Sequence, residues 1–158
     1  MLNSATNTLE SAVEPSPKEQ AARPALDSKM SSPRRVMLVD DEKDFIETLS
    51  ERLELRDMEV AVAFDGAAAL EQVRRQEPEI MVLDLMMPVM DGYEVLKRVR
   101  QDHPAVMVVI LTGHGSADDR VRCLAAGAFA YLQKPVGLEE LYQVMGQAAA
   151  GRREGAGA

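Results

Sequence analysis

The sequence is poor in the features that mark several large classes of protein. It has one cysteine, Cys123, among 158 residues. That excludes an internal disulfide, and one thiol cannot build a zinc site unaided; a reducing compartment fits. Positive charge is in deficit: 18 Lys and Arg stand against 26 Asp and Glu, a net charge of −8. A nucleic-acid-binding face is not expected from such a balance. No apolar run approaches the roughly 20 residues needed to cross a bilayer, and the first 30 residues hold no apolar segment like that of a signal peptide. The expectation is a cytoplasmic protein with no direct contact to membrane or nucleic acid.

What the sequence has is an ordinary globular composition, 46% hydrophobic and 28% charged, over a length suited to one domain. Residues 1–33 are rich in Ser, Thr, Asn, Ala and Pro, with prolines at 15, 17, 24 and 33. Their composition predicts a disordered tail. A short helix around Asn3–Val13 is the rival reading. The tail is not a basic arm: Lys18, Arg23 and Lys29 against Glu10, Glu14, Glu19 and Asp27 give 3 − 4 = −1.

From Arg34 the chain becomes periodic. Val36–Val39 is a continuous apolar run, as in a strand buried on both faces. Phe45, Ile46, Leu49 and Leu53 then share one face of a helix. The pattern repeats: strands at Glu59–Ala63, Ile80–Leu83, Val106–Leu111 and Phe129–Leu132, helices at Ala67–Gln76, Tyr93–Gln101, after Ser116, and Leu138–Ala149. Ser116 with Asp119 forms a capping-box pattern, and Gly127 suits the residue after a helix end. Residues 151–158 are expected to fray. The domain is bounded at 34–150. Five strands alternating with five helices predict a doubly wound α/β fold, a parallel sheet with helices on both faces.

Polar residues sit where the strands end. The first run stops at Asp40-Asp41, the third at Asp84, the fourth at Thr112 and the fifth at Lys134. In a parallel sheet these ends share one edge, the edge where open α/β sheets place their chemistry. Two carboxylates about 4 Å apart at an effective dielectric of about 20 repel by roughly 4 kcal/mol. Such a group must hold protons or bind a cation, and oxygen donors without Cys or His favour a hard ion, Mg²⁺ first. A hard ion, a lysine and a hydroxyl beside a carboxylate suit a phosphoryl group, and the carboxylate can itself be the nucleophile.

Asp40-Asp41, Asp84 followed by Met87-Pro88 and Asp91-Gly92, Thr112-Gly113 and Lys134-Pro135 occur in one order and spacing. In that set the chain resembles the receiver domain of two-component response regulators, over residues 34–149. The resemblance implies a five-stranded sheet of order 2-1-3-4-5, flavodoxin-like, with the chemotaxis receiver as a known case. It implies that Asp84 accepts the phosphoryl group. Asp41 would bind Mg²⁺ directly and Asp40 mainly through water, with the Met86 carbonyl completing the ligands. Lys134 would pair with Asp84 and then with phosphoryl oxygens. Thr112 would turn in to the phosphate, Tyr131 would follow from an outward to a buried rotamer, and Gly113 leaves room for the group. Met86 and His114 would flank the attacking water. The bond before Pro135 would be cis. A histidine kinase or phosphotransfer protein would be the donor. The helix after Ser116, the fifth strand and the last helix would form the output face, for a downstream protein or a homodimer. The protein would be a stand-alone regulator and no enzyme beyond its own phosphorylation and dephosphorylation.

Four rival readings stand beside it at this stage. Asp40-Asp41 could cap the first helix, and Tyr131 could be plain core. A phosphohydrolase of the haloacid dehalogenase type also uses Asp, Thr, Lys and Mg²⁺. That family, however, opens with an Asp-x-Asp nucleophile and ends with its acidic pair; here the acidic pair comes first and Met86 stands where the second acid should be. A receiver retained as a binding module that no longer takes phosphate is a further alternative, and the complete acidic and Lys/Thr set argues against it.

Overall fold

The computed structural model describes residues 32–157. The tail expected over residues 1–33 therefore lies outside the described residues, apart from its last two. Among the described residues strands and helices alternate: β1 Arg35–Val39, α1 Lys43–Glu54, β2 Glu59–Ala63, α2 Gly66–Arg75, β3 Ile80–Leu83, α3 Gly92–Asp102, β4 Met107–Thr112, α4 Ala117–Ala125, β5 Ala130–Gln133 and α5 Leu138–Gly157. All neighbouring strands pair parallel, in the order β2-β1-β3-β4-β5.

The continuous apolar strands follow from burial on both faces. Met37, Val39, Met81, Leu83, Val108 and Ile110 face a core shared with Val73 of α2, Leu96 of α3 and Cys123 of α4. Their alternate neighbours Val36, Leu38, Ile80, Val82, Val109 and Leu111 face Leu49 and Leu53 of α1 and Leu141 and Met145 of α5. Each such side chain contributes roughly 1.5–3 kcal/mol of burial free energy. The helices start where the sequence offers caps. Asp65 accepts from the Ala68 N–H and Asp91 from the Glu94 N–H, while Ser116 and Asp119 form the expected capping box. Gly127 has φ +108° after α4.

Helices α2 and α3 match expectation to within a residue at each end, whereas three elements differ in a way that has a physical cause. β4 and β5 each lie one residue further along, because Thr112 and Gln133 remain paired in the parallel ladder despite their polarity. The last helix does not end near Ala149 but runs to Gly157. Ala148 and Ala149 are buried, and the Arg152 Nε donates to the Ala105 carbonyl at 2.9 Å. These anchors offset the roughly 1 kcal/mol that Gly151 costs inside a helix.

Candidate functional site

The sheet brings the expected residues to one rim. Val39 is in register with Leu83, so Asp40 and Asp84 leave adjacent strands side by side. Their backbones remain in the ladder: the Asp40 N–H donates to Ala63 O at 3.1 Å and the Asp84 N–H to Val39 O at 3.0 Å. On the other side the Lys134 N–H donates to Thr112 O at 2.9 Å. The peptide between Lys134 and Pro135 is cis.

Asp40, Asp84 and Thr112 are buried and Asp41 is exposed. One carboxylate oxygen from each of Asp40, Asp41 and Asp84 lies within 4.8 Å of the others. Asp84 Oδ1 is buried without a hydrogen-bond partner. Burial, then the charge of Asp40, raises the Asp84 carboxyl above the usual aspartate range. The Thr112 hydroxyl, the Lys134 charge and the Met86 amide pull the other way without cancelling them. An all-oxygen donor set of this kind, one member of which also carries a buried oxygen without a hydrogen-bond partner, fits a hard divalent cation. Capping does not explain the acidic pair: the N-cap of α1 is Glu42, whose side chain makes no cap bond, and Asp40 Oδ1 accepts from the Glu42 N–H at 2.9 Å.

Lys134 departs from the resemblance. Its Nζ bonds Asp40 Oδ2 at 2.8 Å and Glu42 Oε1 at 2.7 Å, and its ion pairs are with these two acids, not with Asp84. Burial lowers the Lys134 pKa, but the bonds to Asp40 and Glu42 and the surrounding negative charge outweigh it, and the net shift is upward. The physical reason is supply: two carboxylates from the β1–α1 turn reach the ammonium and satisfy it.

Tyr131 also differs. The resemblance starts it in an outward rotamer, yet its hydroxyl is buried and has no hydrogen-bond partner. A Cβ added at Gly115 would lie 1.5 Å from that hydroxyl and 3.0 Å from Thr112 Cγ2. The ring tip therefore already fills the space left by the missing Gly115 side chain, against Thr112. Gly113 is open: the nearest atoms to a Cβ there are Lys134 Cβ and Cδ at 3.8 Å. His114 and Met86 are exposed at the mouth.

The loop after Asp84 explains Asp91-Gly92. A Cβ on Gly92 would stand 2.1 Å from the Asp84 carbonyl oxygen, and the Gly92 N–H donates to Leu85 O at 2.8 Å. The helix start is thus pressed onto the backbone of Asp84 itself. Sequence reasoning missed two features here. Val89 has φ +69° inside a tight turn closed by the Met90 N–H on Pro88 O at 2.8 Å. A β-branched residue there is strained, and nothing in Pro88-Val89 announces it. Glu42 was the other, although its place directly after the acidic pair was the available signal.

The chain matches the family model described as the response regulator receiver domain over residues 36–145. It is 43% identical over 116 residues to the transcriptional regulatory protein PrrA of Mycobacterium tuberculosis, covering 73% of this chain and 49% of that protein. It is 42% identical over 107 residues to the response regulator MprA of Mycobacterium leprae, covering 68% and 47%. The chain thus spans about half the length of the curated relatives it matches. Among solved structures, a CheY-like receiver domain protein from Methanospirillum hungatei superposes with TM-score 0.75 at 26% identity, covering 78% of this chain and 99% of that one. The match, the strand order and the acidic rim agree: the chain belongs to the response regulator receiver domain family.

Proposed function

We propose that this chain accepts a phosphoryl group on Asp84 from a histidine kinase or a histidine phosphotransfer protein. Receiver domains of two-component response regulators accept phosphoryl groups on an aspartate and normally use Mg²⁺. The observation that carries the assignment to Asp84 is its setting: a buried carboxylate with an orphaned oxygen, at the centre of a rim that also holds Asp40, Asp41, Thr112 and Lys134.

In the proposed step an Asp84 carboxylate oxygen attacks phosphorus. The phosphorus–nitrogen bond of the donor histidine breaks, its electron pair stays on the imidazole, and an acyl phosphate forms on Asp84. Asp40, Asp41, Asp84 and the Met86 carbonyl would hold Mg²⁺, which supplies charge neutralisation of the phosphoryl oxygens when bound. Thr112 donates a hydrogen bond to a phosphoryl oxygen, and Lys134 balances its charge. Gly113 keeps the approach open. Buried flanking side chains limit water, while exposed Met86 and His114 border the path of the hydrolysing water. On this reading the chain catalyses only its own phosphorylation and dephosphorylation.

The acquired charge, about −1.5 to −2, draws Thr112 toward Asp84. Because Tyr131 packs on Thr112 beside Gly115, that movement biases the surface of α4, β5 and α5, which contacts a downstream protein or a second copy of the chain.

The test is incubation with Mg²⁺ and acetyl phosphate followed by intact mass measurement. Wild type gains one phosphoryl group. Asp84→Asn gains none, and chelation of Mg²⁺ abolishes the gain in wild type. Uptake by Asp84→Asn at the wild-type rate overturns the assignment.

A further inference from the structure

The side chain of Glu42 has no task in the helix that this residue begins, although its carbonyl accepts from the Ile46 N–H at 3.1 Å. Glu42 occupies the N-cap of α1, yet its side chain makes no cap hydrogen bond. Its carboxylate instead accepts from Lys134 Nζ at 2.7 Å, ninety-two residues away in sequence. Lys134 holds Asp40 Oδ2 at 2.8 Å with the same ammonium and lies 4.3 Å from the centroid of the Phe45 ring. Asp84 Oδ1 meanwhile has no partner. The two acids that engage Lys134 are unlike. The Asp40 side chain is 3% exposed and belongs to the acidic rim, whereas the Glu42 side chain is 65% exposed and stands outside it. Glu42 therefore shares the Lys134 ammonium with Asp40 and holds it from the solvent-facing side.

We propose that Glu42 is a positioning residue that restrains phosphoryl transfer by competing for Lys134. The proposal rests on the reading of Asp84 as phosphoryl acceptor. A phosphoryl group arriving on Asp84 presents new anionic oxygens to Lys134, and the Lys134–Glu42 bond must yield for the lysine to meet them. The chain thus carries a built-in counterion that slows uptake by the strength of one ion pair with an exposed partner. Such pairs change equilibria by a factor of about 1.5 to 5.

The test compares wild type with Glu42→Gln, which keeps the shape of the side chain and removes its charge. Initial uptake of phosphoryl from acetyl phosphate is followed by intact mass at saturating Mg²⁺. Glu42→Gln is expected to be about two- to fivefold faster. In a Lys134→Ala background the same substitution is expected to change nothing, because the lysine through which Glu42 acts is gone. A second measurement needs neither metal nor donor: the ¹⁵Nζ resonance of Lys134 in the metal-free protein shifts on Glu42→Gln and stays in place on Glu47→Gln. A rate for Glu42→Gln equal to or below wild type overturns the proposal. So does an equal acceleration with Lys134 absent, which makes Glu42 a general charge acting on an anionic donor. So does an unmoved Lys134 resonance. A wild type that takes up no phosphoryl group removes the parent reading instead, and the metal-free resonance still reports whether the Lys134–Glu42 pair exists.

Discussion

At the scale of single residues, Asp84 carries an electrostatic liability. Its carboxyl is raised by burial and by the Asp40 charge. An unfolded aspartate titrates near about 3.9. Below that value the group is protonated in both states and the native fold is unburdened. As pH rises through the higher folded value, the native state must ionise a buried oxygen and loses stability relative to the unfolded chain. In metal-free protein Asp84→Asn should therefore melt a few degrees above wild type at neutral pH. The gap should close as pH falls below the unfolded aspartate value; thermal unfolding as a function of pH measures both. A wild type that is the more stable at neutral pH contradicts this account. The rim residues Asp40, Asp84 and Thr112 were legible in the sequence because each interrupts an apolar run at its carboxyl end, and Lys134 because it follows the last such run directly before Pro135. The pairing of Lys134 was not. It depends on which of several acids the folded chain brings nearest, and Glu42 reaches it across ninety-two positions.

At the scale of elements, the connection between β4 and α4 is built around a missing side chain. Tyr131 on β5 packs into the space a Gly115 Cβ would fill, 1.5 Å from its hydroxyl. Burial raises the Tyr131 pKa above the ordinary phenol value. Gly115→Ala should expel the ring to solvent and bring its titration back toward about 10, at a stability change on the order of 1 kcal/mol. Site-resolved NMR titration of Tyr131 checks this; a ring that stays buried in the variant refutes it. Helix starts were readable from local chemistry, as at Ser116–Asp119, since a cap acts within one turn. Strand ends were less so: pairing with a neighbour, not side-chain polarity, decides that Thr112 and Gln133 belong to the ladder. The length of α5 was hidden for a similar reason, because the contact of Arg152 with Ala105 is forty-seven residues distant.

At the scale of the whole molecule, a net charge of −8 includes three acids whose oxygens lie within 4.8 Å on one rim. A cation that binds only this assembled rim stabilises the fold by mass action, about 2.7 kcal/mol at a hundredfold excess over its dissociation constant. Mg²⁺ should raise the melting temperature of wild type in a concentration-dependent way and raise that of Asp40→Asn less. Calorimetry with and without the ion decides it; equal shifts in both proteins detach Asp40 from the site. The architecture itself was the most legible property. Alternating buried strands and one-faced helices admit few arrangements, and the parallel order β2-β1-β3-β4-β5 is the one found.

The bond between Asp40 and Lys134 joins residues ninety-four positions apart. During synthesis the acids emerge first, and the lysine that offsets them arrives with the last strand. Until Lys134 is made, the ammonium that bonds Asp40 and Glu42 in the folded chain is missing from that edge. The acidic edge thus receives its Lys134 ammonium from the segment that directly follows the fifth strand, so the charge balance of the rim depends on the late part of the chain.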